Sequence, residues 1–283
     1  MRPDNASYYR GRFAPSPSGL LHFGSLIAAL ASYLDAKHNN GQWLLRIEDI
    51  DPPREQSGAS SEILKTLESY GLHWDEDVLY QSQQSAIYHE VLAELAEQKL
   101  SYYCRCTRAQ IKAQGGIYQG QCKNLAQPAN NSAIRINNTV GISQYNDLIQ
   151  TQVTCDTKLA QEDFIVVRKD GLFAYQLAVV VDDIYQNISH VIRGCDLLEP
   201  TARQLSFYQI LQHNAPKFGS KQNSAPAIDK NNPLPSLFSA LVFLGQHPPN
   251  GLQTASVDEL LTWAITHWSI AQVPKSQEII LQV

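Results

Sequence analysis

Apolar and polar positions in residues 10–50 follow two different periods. From Leu26 to Leu34 the apolar residues recur at a helical spacing, and Gly41 follows as a stop signal. The apolar run WLLRIED (43–49) has the length of a strand and ends in acidic residues, and a short strand-like piece, GRFAPSP (11–17), precedes the helix. Strand, turn, helix and strand form a βαβ pattern, which places ligands at the carboxyl ends of parallel strands.

The next hundred residues change character part-way. SSEILKTLESYGL (60–72) and QSAIYHEVLAELAEQKL (84–100) carry helical patterns. Residues 101–162 are Cys-rich and then Asn/Gln-rich, with short strand-like pieces such as AIRI (133–136). This stretch predicts an inserted subdomain.

Strongly apolar sequence returns near residue 163, where the run from 162 to 183 predicts mainly strands of a resumed core. Residues 197–213 have a helical pattern. Residues 214–235 are rich in Pro, Asn, Ser and Lys and predict a loop. From 236 to the end the pattern indicates short helices.

Composition narrows the class of protein. Of the 283 residues, 43% are hydrophobic and 17% charged, which fits a globular chain and excludes a disordered one. No apolar run reaches the ~18 residues of a membrane span, and the first residues lack a secretory apolar segment, so we expect a cytoplasmic protein without membrane contact. The net charge of −5 argues against a surface coated with nucleic acid but leaves room for a local basic groove.

The segment between Pro15 and Ser25 has the highest concentration of residues suited to binding a ligand. Prolines fix this loop, and its glycines let ligand groups approach the backbone. Ser25 lies where the predicted helix begins, and helix N-termini offer free N–H groups to phosphate. His22 lies beside that end and can reach a phosphate oxygen, the alternative being that it only caps or packs.

These segments resemble a known family. HFGS (22–25) after APSPSG resembles the HIGH motif of class I aminoacyl-tRNA synthetases of the glutamyl branch. RIEDIDPPR (46–54), GLFAYQLAVVVDD (171–183) and HVIRGCDLLEPTARQ (190–204) are similar to the same branch. Within it, the chain most resembles the short glutamyl-Q tRNA(Asp) synthetases. The resemblance implies a Rossmann-like α/β catalytic domain that binds ATP with Mg²⁺ and converts L-glutamate to glutamyl-adenylate.

The resemblance also assigns the nucleotide site. It implies catalytic roles for His22, Gly24 and Lys221, and ATP contacts from these three together with Pro15 and Ser25. Lys221 belongs to SKQN (220–223), which resembles the KMSKS-type motif KLSKQN. A lysine in a polar loop is ordinarily just solvated, so a functional role for Lys221 is supported only by the HIGH-like loop upstream of it.

Glutamate carries two carboxylates and an ammonium group, so its pocket needs both signs of charge. A guanidinium group binds a carboxylate through two parallel hydrogen bonds, and a carboxylate side chain is suited to bind the ammonium group. A structural Arg12–Glu48 ion pair and a plain core role for Tyr175 are the alternatives. By resemblance, the glutamate-binding positions are Arg12, Phe13, Ala14, Pro15, Ser16, Glu48, Tyr175 and Arg193.

Three of the five cysteines crowd into nineteen positions. Cys104, Cys106 and Cys122 favour a metal over disulfides in a reducing compartment, and a structural zinc site normally has four ligands. The residues alone leave the fourth ligand open, and three buried free cysteines are the alternative. The resemblance implies Tyr118 as the fourth ligand of one structural Zn²⁺.

The expected organisation follows from these assignments. Residues 8–100 and 163–213 form the two halves of the α/β domain, 101–162 the inserted zinc-binding, acceptor-facing subdomain, and 214–283 the KMSKS-type loop with a small helical extension. The resemblance implies transfer of glutamate to queuosine in the anticodon of tRNA(Asp). A glutamyl-tRNA synthetase charging a tRNA 3′ end, and a non-catalytic zinc-stabilised RNA-binding module, are the alternatives.

Two features near the end of the match refine these expectations. Only 60 residues follow residue 223, fewer than the ~100 of a typical domain, which argues against a large anticodon-reading region. The family has a strand and a turn before KLSKQN, whereas here PKFG runs directly into SKQN. Mobile KMSKS-type loops lead us to expect a break in the backbone within 216–220, the alternative being a real deletion.

Overall fold

The computed structural model describes residues 8–222 and 228–275. Its first part alternates strands and helices: β1 (Arg10–Phe13), α1 (Phe23–His38), β2 (Gln42–Ile47), α2 (Ala59–Ser69), β3 (Leu79–Tyr80) and α3 (Ser85–Glu97). An insertion follows, with β4 (Ser101–Cys104), α4 (Arg108–Ala113), β5 (Ala133–Ile136), β6 (Gln144–Asp147), β7 (Thr151–Thr154), α5 (Thr157–Ala160) and β8 (Ile165–Val167). The remainder comprises α6 (Tyr175–Tyr185), β9 (His190–Gly194), α7 (Leu198–Ile210), β10 (Lys217–Lys221), α8 (Pro233–Phe243) and α9 (Val257–His267).

The central sheet has five parallel strands in the order β10–β9–β1–β2–β3. Its strands are short and largely buried, as expected of a parallel sheet covered on both faces. The predicted βαβ unit is confirmed as β1–α1–β2. The carboxyl ends of β1, β2 and β9 meet at one edge, and the loops that leave this edge carry the predicted ligand-binding residues.

The insertion forms its own small sheets. Strands β4, β5 and β8 pair antiparallel in the order β4–β5–β8, and β6 pairs antiparallel with β7. Because β8 pairs with β5, the chain returns to the central sheet only with β9. The β6–β7 hairpin also contacts the central sheet. Asp147 of β6 accepts hydrogen bonds from the backbone N–H and the hydroxyl of Ser220 in β10, at 3.0 and 2.8 Å.

The C-terminal helices pack against α1. Helices α8 and α9 both contact α1, and the Trp268 indole donates to the buried Asp35 carboxylate of α1 at 2.8 Å. The Tyr9 hydroxyl donates to the same carboxylate. This layer fixes the helix whose N-terminus faces the candidate site. No helix among the described residues has both the length and the apolarity to cross a bilayer.

Two sequence expectations are wrong. The valine-rich run in 175–185, expected as strand, is helix α6, because its buried valines pack in a helical core against α3 and α7. The expected loop from 214 contains β10, which runs parallel to β9 from Lys217 beside His190 to Lys221 beside Gly194. Burial of Phe218 and the Asp147 contacts stabilise this edge strand.

Candidate active site

The HFGS segment forms the N-terminal end of α1. The helix begins at Phe23, and His22 is its N-cap, with Nδ1 accepting a hydrogen bond from the Ser25 backbone at 3.3 Å. His22 therefore does cap the helix, as the alternative proposed. Its ring is nevertheless available to a ligand, because His22 is exposed and lines the cavity described below. With Nδ1 as acceptor, the neutral ring carries its proton on Nε2, which remains a donor for an anion.

Lys221 lies across from this helix end. Its Nζ donates to the carbonyl oxygens of Gly24 at 3.2 Å and Gln222 at 2.8 Å, and the side chain is buried. Burial lowers the pKa of Lys221 to about 8, although Asp196 and Cys195 oppose the shift. Two segments almost two hundred residues apart in the chain thus meet at one point.

The backbone before Ser220 shows no break, which is the outcome expected of the alternative, a deletion relative to the family. Residues Lys217–Lys221 form a continuous strand, with five successive residues in register with β9. Lys221 therefore lies at the end of a strand and not in a loop. Asn223, the last residue of the KMSKS-like motif, lies outside the described residues.

One cavity of about 1040 Å³ opens at the carboxyl edge of the sheet. Every residue that the sequence assigned to glutamate or ATP lines it. These residues are Arg12, Phe13, Ala14, Pro15, Ser16, His22, Gly24, Ser25, Glu48, Tyr175, Arg193 and Lys221. Parallel strands place their following loops side by side, which is why positions so distant in sequence converge here.

Arg12 does not pair with Glu48, so that alternative is wrong. Its Nε and Nη2 donate to the two carboxylate oxygens of Asp183, each at 3.0 Å. Asp183 also accepts from Arg46 Nη2 at 2.6 Å. Although burial alone would raise it, Arg12 and Arg46 hold the pKa of Asp183 at about 2, so this carboxylate stays ionised.

Arg193 and Glu48 carry opposite charges that the protein balances poorly. Arg193 donates to the Gln204 amide oxygen at 2.8 Å and to Thr201, and no carboxylate of the described residues pairs with it. Burial lowers its pKa, as expected of a cation without an acidic partner. Burial likewise raises the pKa of Glu48 to about 7, against the opposing Arg46, whose Nε lies 3.9 Å from its carboxylate. An incoming carboxylate and ammonium would neutralise both groups.

Tyr175 begins α6 and is 37% exposed, so the plain core alternative is wrong. Desolvation of its hydroxyl, and then Glu48, raise its pKa, which keeps the hydroxyl protonated as a hydrogen-bond donor and acceptor. Together with Ser16, Ser18, Glu48 and Arg54, Tyr175 also borders a second cavity of about 180 Å³. This chamber extends from the main cavity towards Arg168 and Phe173.

The cysteine cluster lies in the insertion, away from this cavity. The sulfur atoms of Cys104, Cys106 and Cys122 lie within 4.8 Å of one another, and the first and last are buried. Tyr118 packs against them, and its hydroxyl accepts from the Cys122 backbone at 2.8 Å. The Arg135 guanidinium lies 3.8 Å from the centre of the Tyr118 ring. The structure therefore brings all four predicted ligand residues together.

Comparison with known proteins identifies the family. The family model for the catalytic domain of class I tRNA synthetases (E and Q) matches residues 9–225. The chain belongs to this family. It is 58% identical over 303 aligned positions to a protein of Colwellia psychrerythraea named glutamyl-Q tRNA(Asp) synthetase, covering 99% of this chain and 96% of that protein. A protein of the same name from Escherichia coli is 52% identical, covering 95% and 92%.

Solved synthetases share the fold. A glutamate-tRNA synthetase from Elizabethkingia anophelis superposes with a TM-score of 0.76 at 26% identity, covering 95% of this chain. The chain spans 67% of that synthetase's length. The alignment with the Colwellia relative has 303 positions against 283 residues here, so that relative has residues without a counterpart in this chain.

The sequence reasoning missed the residues behind the cavity. Asp183, which anchors Arg12, lies in the segment GLFAYQLAVVVDD, but no local pattern assigns it a role. The same holds for Thr201 and Gln204, which hold Arg193. The only signal was a pair of acidic residues ending an apolar segment, Asp182 and Asp183, which an enzyme core does not bury without partners.

Proposed function

We propose that this chain uses ATP to activate L-glutamate as glutamyl-adenylate and transfers the glutamyl group to queuosine in the anticodon of tRNA(Asp). The observation that carries the proposal is the convergence of every predicted glutamate and ATP residue on one cavity. The names of relatives at 51–58% identity support the acceptor.

The charges of the cavity fit a glutamate substrate. Arg193, without an acidic partner among the described residues, is suited to one carboxylate, and the remaining nitrogen of Arg12, Nη1, is suited to the other. Glu48, whose raised pKa reflects an uncompensated site, is suited to the ammonium. Tyr175 supplies a hydroxyl at the rim of the same region.

The nucleotide end of the cavity fits a triphosphate. The free N–H groups at the start of α1 and the His22 Nε2 donor lie opposite the buried ammonium of Lys221. In the proposed reaction the glutamate α-carboxylate attacks the α-phosphate of ATP, whose complex with Mg²⁺ is the substrate, and pyrophosphate leaves. Lys221 and the helix end stabilise the charge on the leaving group, which requires no side-chain nucleophile.

The acceptor chemistry is the same for two kinds of hydroxyl. The cyclopentene diol of queuosine resembles a ribose 2′,3′-diol, so an adenylate can be attacked by either. The insertion, taken through β8 (101–167), carries six Lys or Arg residues and four Asp or Glu residues in a chain of net charge −5. This local basic excess supports contact with RNA phosphates at the insertion.

For the cysteine cluster we propose one structural Zn²⁺ held by Cys104, Cys106, Cys122 and Tyr118. The donor set fits, because three clustered sulfur atoms and one oxygen complete four ligands. Although burial opposes it, hydrogen bonds from the Cys106 backbone and Arg135 lower the pKa of Cys104. Burial raises the pKa of Tyr118, so binding of the ion must displace its proton. When bound, zinc would brace the insertion.

One set of assays tests the catalytic proposal. Exchange of pyrophosphate into ATP should depend on L-glutamate and require no RNA. Radiolabelled glutamate should then transfer to tRNA(Asp) that contains queuosine, and mapping should place the label at that nucleotide. Label at the 3′ adenosine of tRNA(Glu), or equal labelling of tRNA(Asp) without queuosine, would favour a glutamyl-tRNA synthetase. Absence of exchange with intact RNA binding would favour a non-catalytic RNA-binding module.

A further inference from the structure

Asp183 lies behind the cavity and does not line it. Its side chain is 2% exposed and accepts four hydrogen bonds. Two come from Arg12 at 3.0 Å each, one from Arg46 at 2.6 Å and one from the Tyr208 hydroxyl at 3.3 Å. A single carboxylate therefore joins two buried arginines.

We propose that Asp183 is a positioning residue for amino-acid binding, which fixes the Arg12 guanidinium so that its Nη1 binds a substrate carboxylate. The inference rests on the proposed function, in which Arg12 contacts glutamate. Asp183 takes Nε and Nη2 of Arg12 in a bidentate contact, and this contact sets the plane of the guanidinium group. Only Nη1 is left for a ligand.

The comparison with Arg193 shows why such a partner matters. Arg193 is held by two neutral groups, Gln204 and Thr201, and its charge stays unbalanced until a ligand binds. The charge of Arg12 is already neutralised by Asp183, so Arg12 contributes mainly a correctly oriented N–H donor and less a net positive charge. A buried guanidinium that loses its carboxylate would keep neither its place nor its orientation.

The same carboxylate orders the other side of the pocket. Arg46 donates to Asp183 and, through Nη1, to the Gln186 side chain at 3.0 Å. Its Nε lies 3.9 Å from the Glu48 carboxylate. Asp183 therefore holds the arginine beneath Glu48 as well as Arg12, and links the groups proposed for the carboxylate and the ammonium.

The test compares Asp183→Asn with Asp182→Asn in glutamate-dependent pyrophosphate exchange. Asp182 is adjacent in α6, equally buried, and bonded to Tyr88 and Gln81. It is a matched control for the Arg12 contact, because it also lies 3.9 Å from Arg46 Nε but does not touch Arg12. We expect Asp183→Asn to raise KM for glutamate at least about tenfold while KM for ATP changes less than about twofold. Asp182→Asn should lower thermal stability without this selective rise.

A double-mutant cycle separates positioning from general damage. In an Arg12→Met background, Asp183→Asn should raise KM for glutamate by a clearly smaller factor than in the unmodified chain, because only the effect that Asp183 exerts through Arg46 remains. If Asp183→Asn does not fold, Asp183→Glu keeps the charge but moves the carboxylate by one methylene, and the same selective rise is expected. Additive effects, or equal rises in both KM values, overturn the inference.

The two proposals fail in different ways. If the unmodified protein shows no glutamate-dependent exchange, the proposed function is wrong. If it exchanges normally and Asp183→Asn leaves KM for glutamate within about twofold of that value, only the positioning role is wrong.

Discussion

Replacing Glu48 with Gln should change activity and stability in opposite directions. Glu48 lies at the end of β2 with its side chain 10% exposed, and burial raises its pKa to about 7. In the proposed site its ionised carboxylate binds the glutamate ammonium. Glutamine keeps the shape but cannot carry the charge, so Glu48→Gln should raise KM for glutamate by a factor on the order of 30 or more, from the ~2 kcal/mol or more of a buried charge pair.

The pH dependence follows from the same pKa. Only the ionised carboxylate binds the ammonium, so kcat/KM for glutamate should fall as pH decreases through about 7. Between about pH 7.5 and about pH 5.5 the ionised fraction falls roughly 25-fold for a pKa of about 7. An ordinary glutamate would lose only about a tenth over that interval. In Glu48→Gln this decline should disappear.

Stability should respond with the opposite sign. A carboxyl whose pKa is raised by folding favours the native state below its unfolded pKa of 4.5, and this contribution is lost as pH rises through about 7. The shift corresponds to roughly 3 kcal/mol. Glu48→Gln should therefore unfold at a higher temperature than the unmodified chain at about pH 8, and the gain should vanish near about pH 4.5.

Exchange kinetics and thermal unfolding across pH test both effects in one protein. Glu90→Gln is the matched control, because Glu90 is exposed on α3 and does not line the cavity, and it should change neither readout. Equal pH dependence in Glu48→Gln and the unmodified chain would refute the assignment of the ammonium site. A loss of stability at high pH would refute the account of an uncompensated buried carboxylate.

Three further expectations concern the other charges. Arg193→Lys should raise KM for glutamate by a factor on the order of 30 or more, since a point charge cannot replace the guanidinium fork, and a rise below about threefold would contradict its role. The value of kcat/KM for ATP should fall as pH rises above about 8, where Lys221 loses its proton, and Lys221→Met should lack this decline. Purified Cys122→Ser should contain no zinc and unfold at a lower temperature, whereas Cys155→Ser should retain the metal; equal zinc content in both would exclude the cluster as its site.

Some features could be read directly from the sequence because they depend on local patterns. The helical spacing from Leu26 to Leu34 and the run WLLRIED specify α1 and β2 through their own periodicity. The βαβ pattern in turn implied that residues after Phe13 and Ile47 lie at one edge of the sheet. The resemblance of the motifs then supplied the glutamate and ATP residues, and the structure places all of these around one cavity.

Other features depend on which segments pack together, and only the tertiary structure decided them. The valines of α6 favour a strand by themselves, but burial between two helices selects the helix. KFGSK forms β10 because β9 and Asp147 offer hydrogen bonds to it. Asp183 meets Arg12 from 171 residues away, and no spacing rule relates such a pair. Partners of buried charges are set by three-dimensional proximity, which the sequence does not display residue by residue.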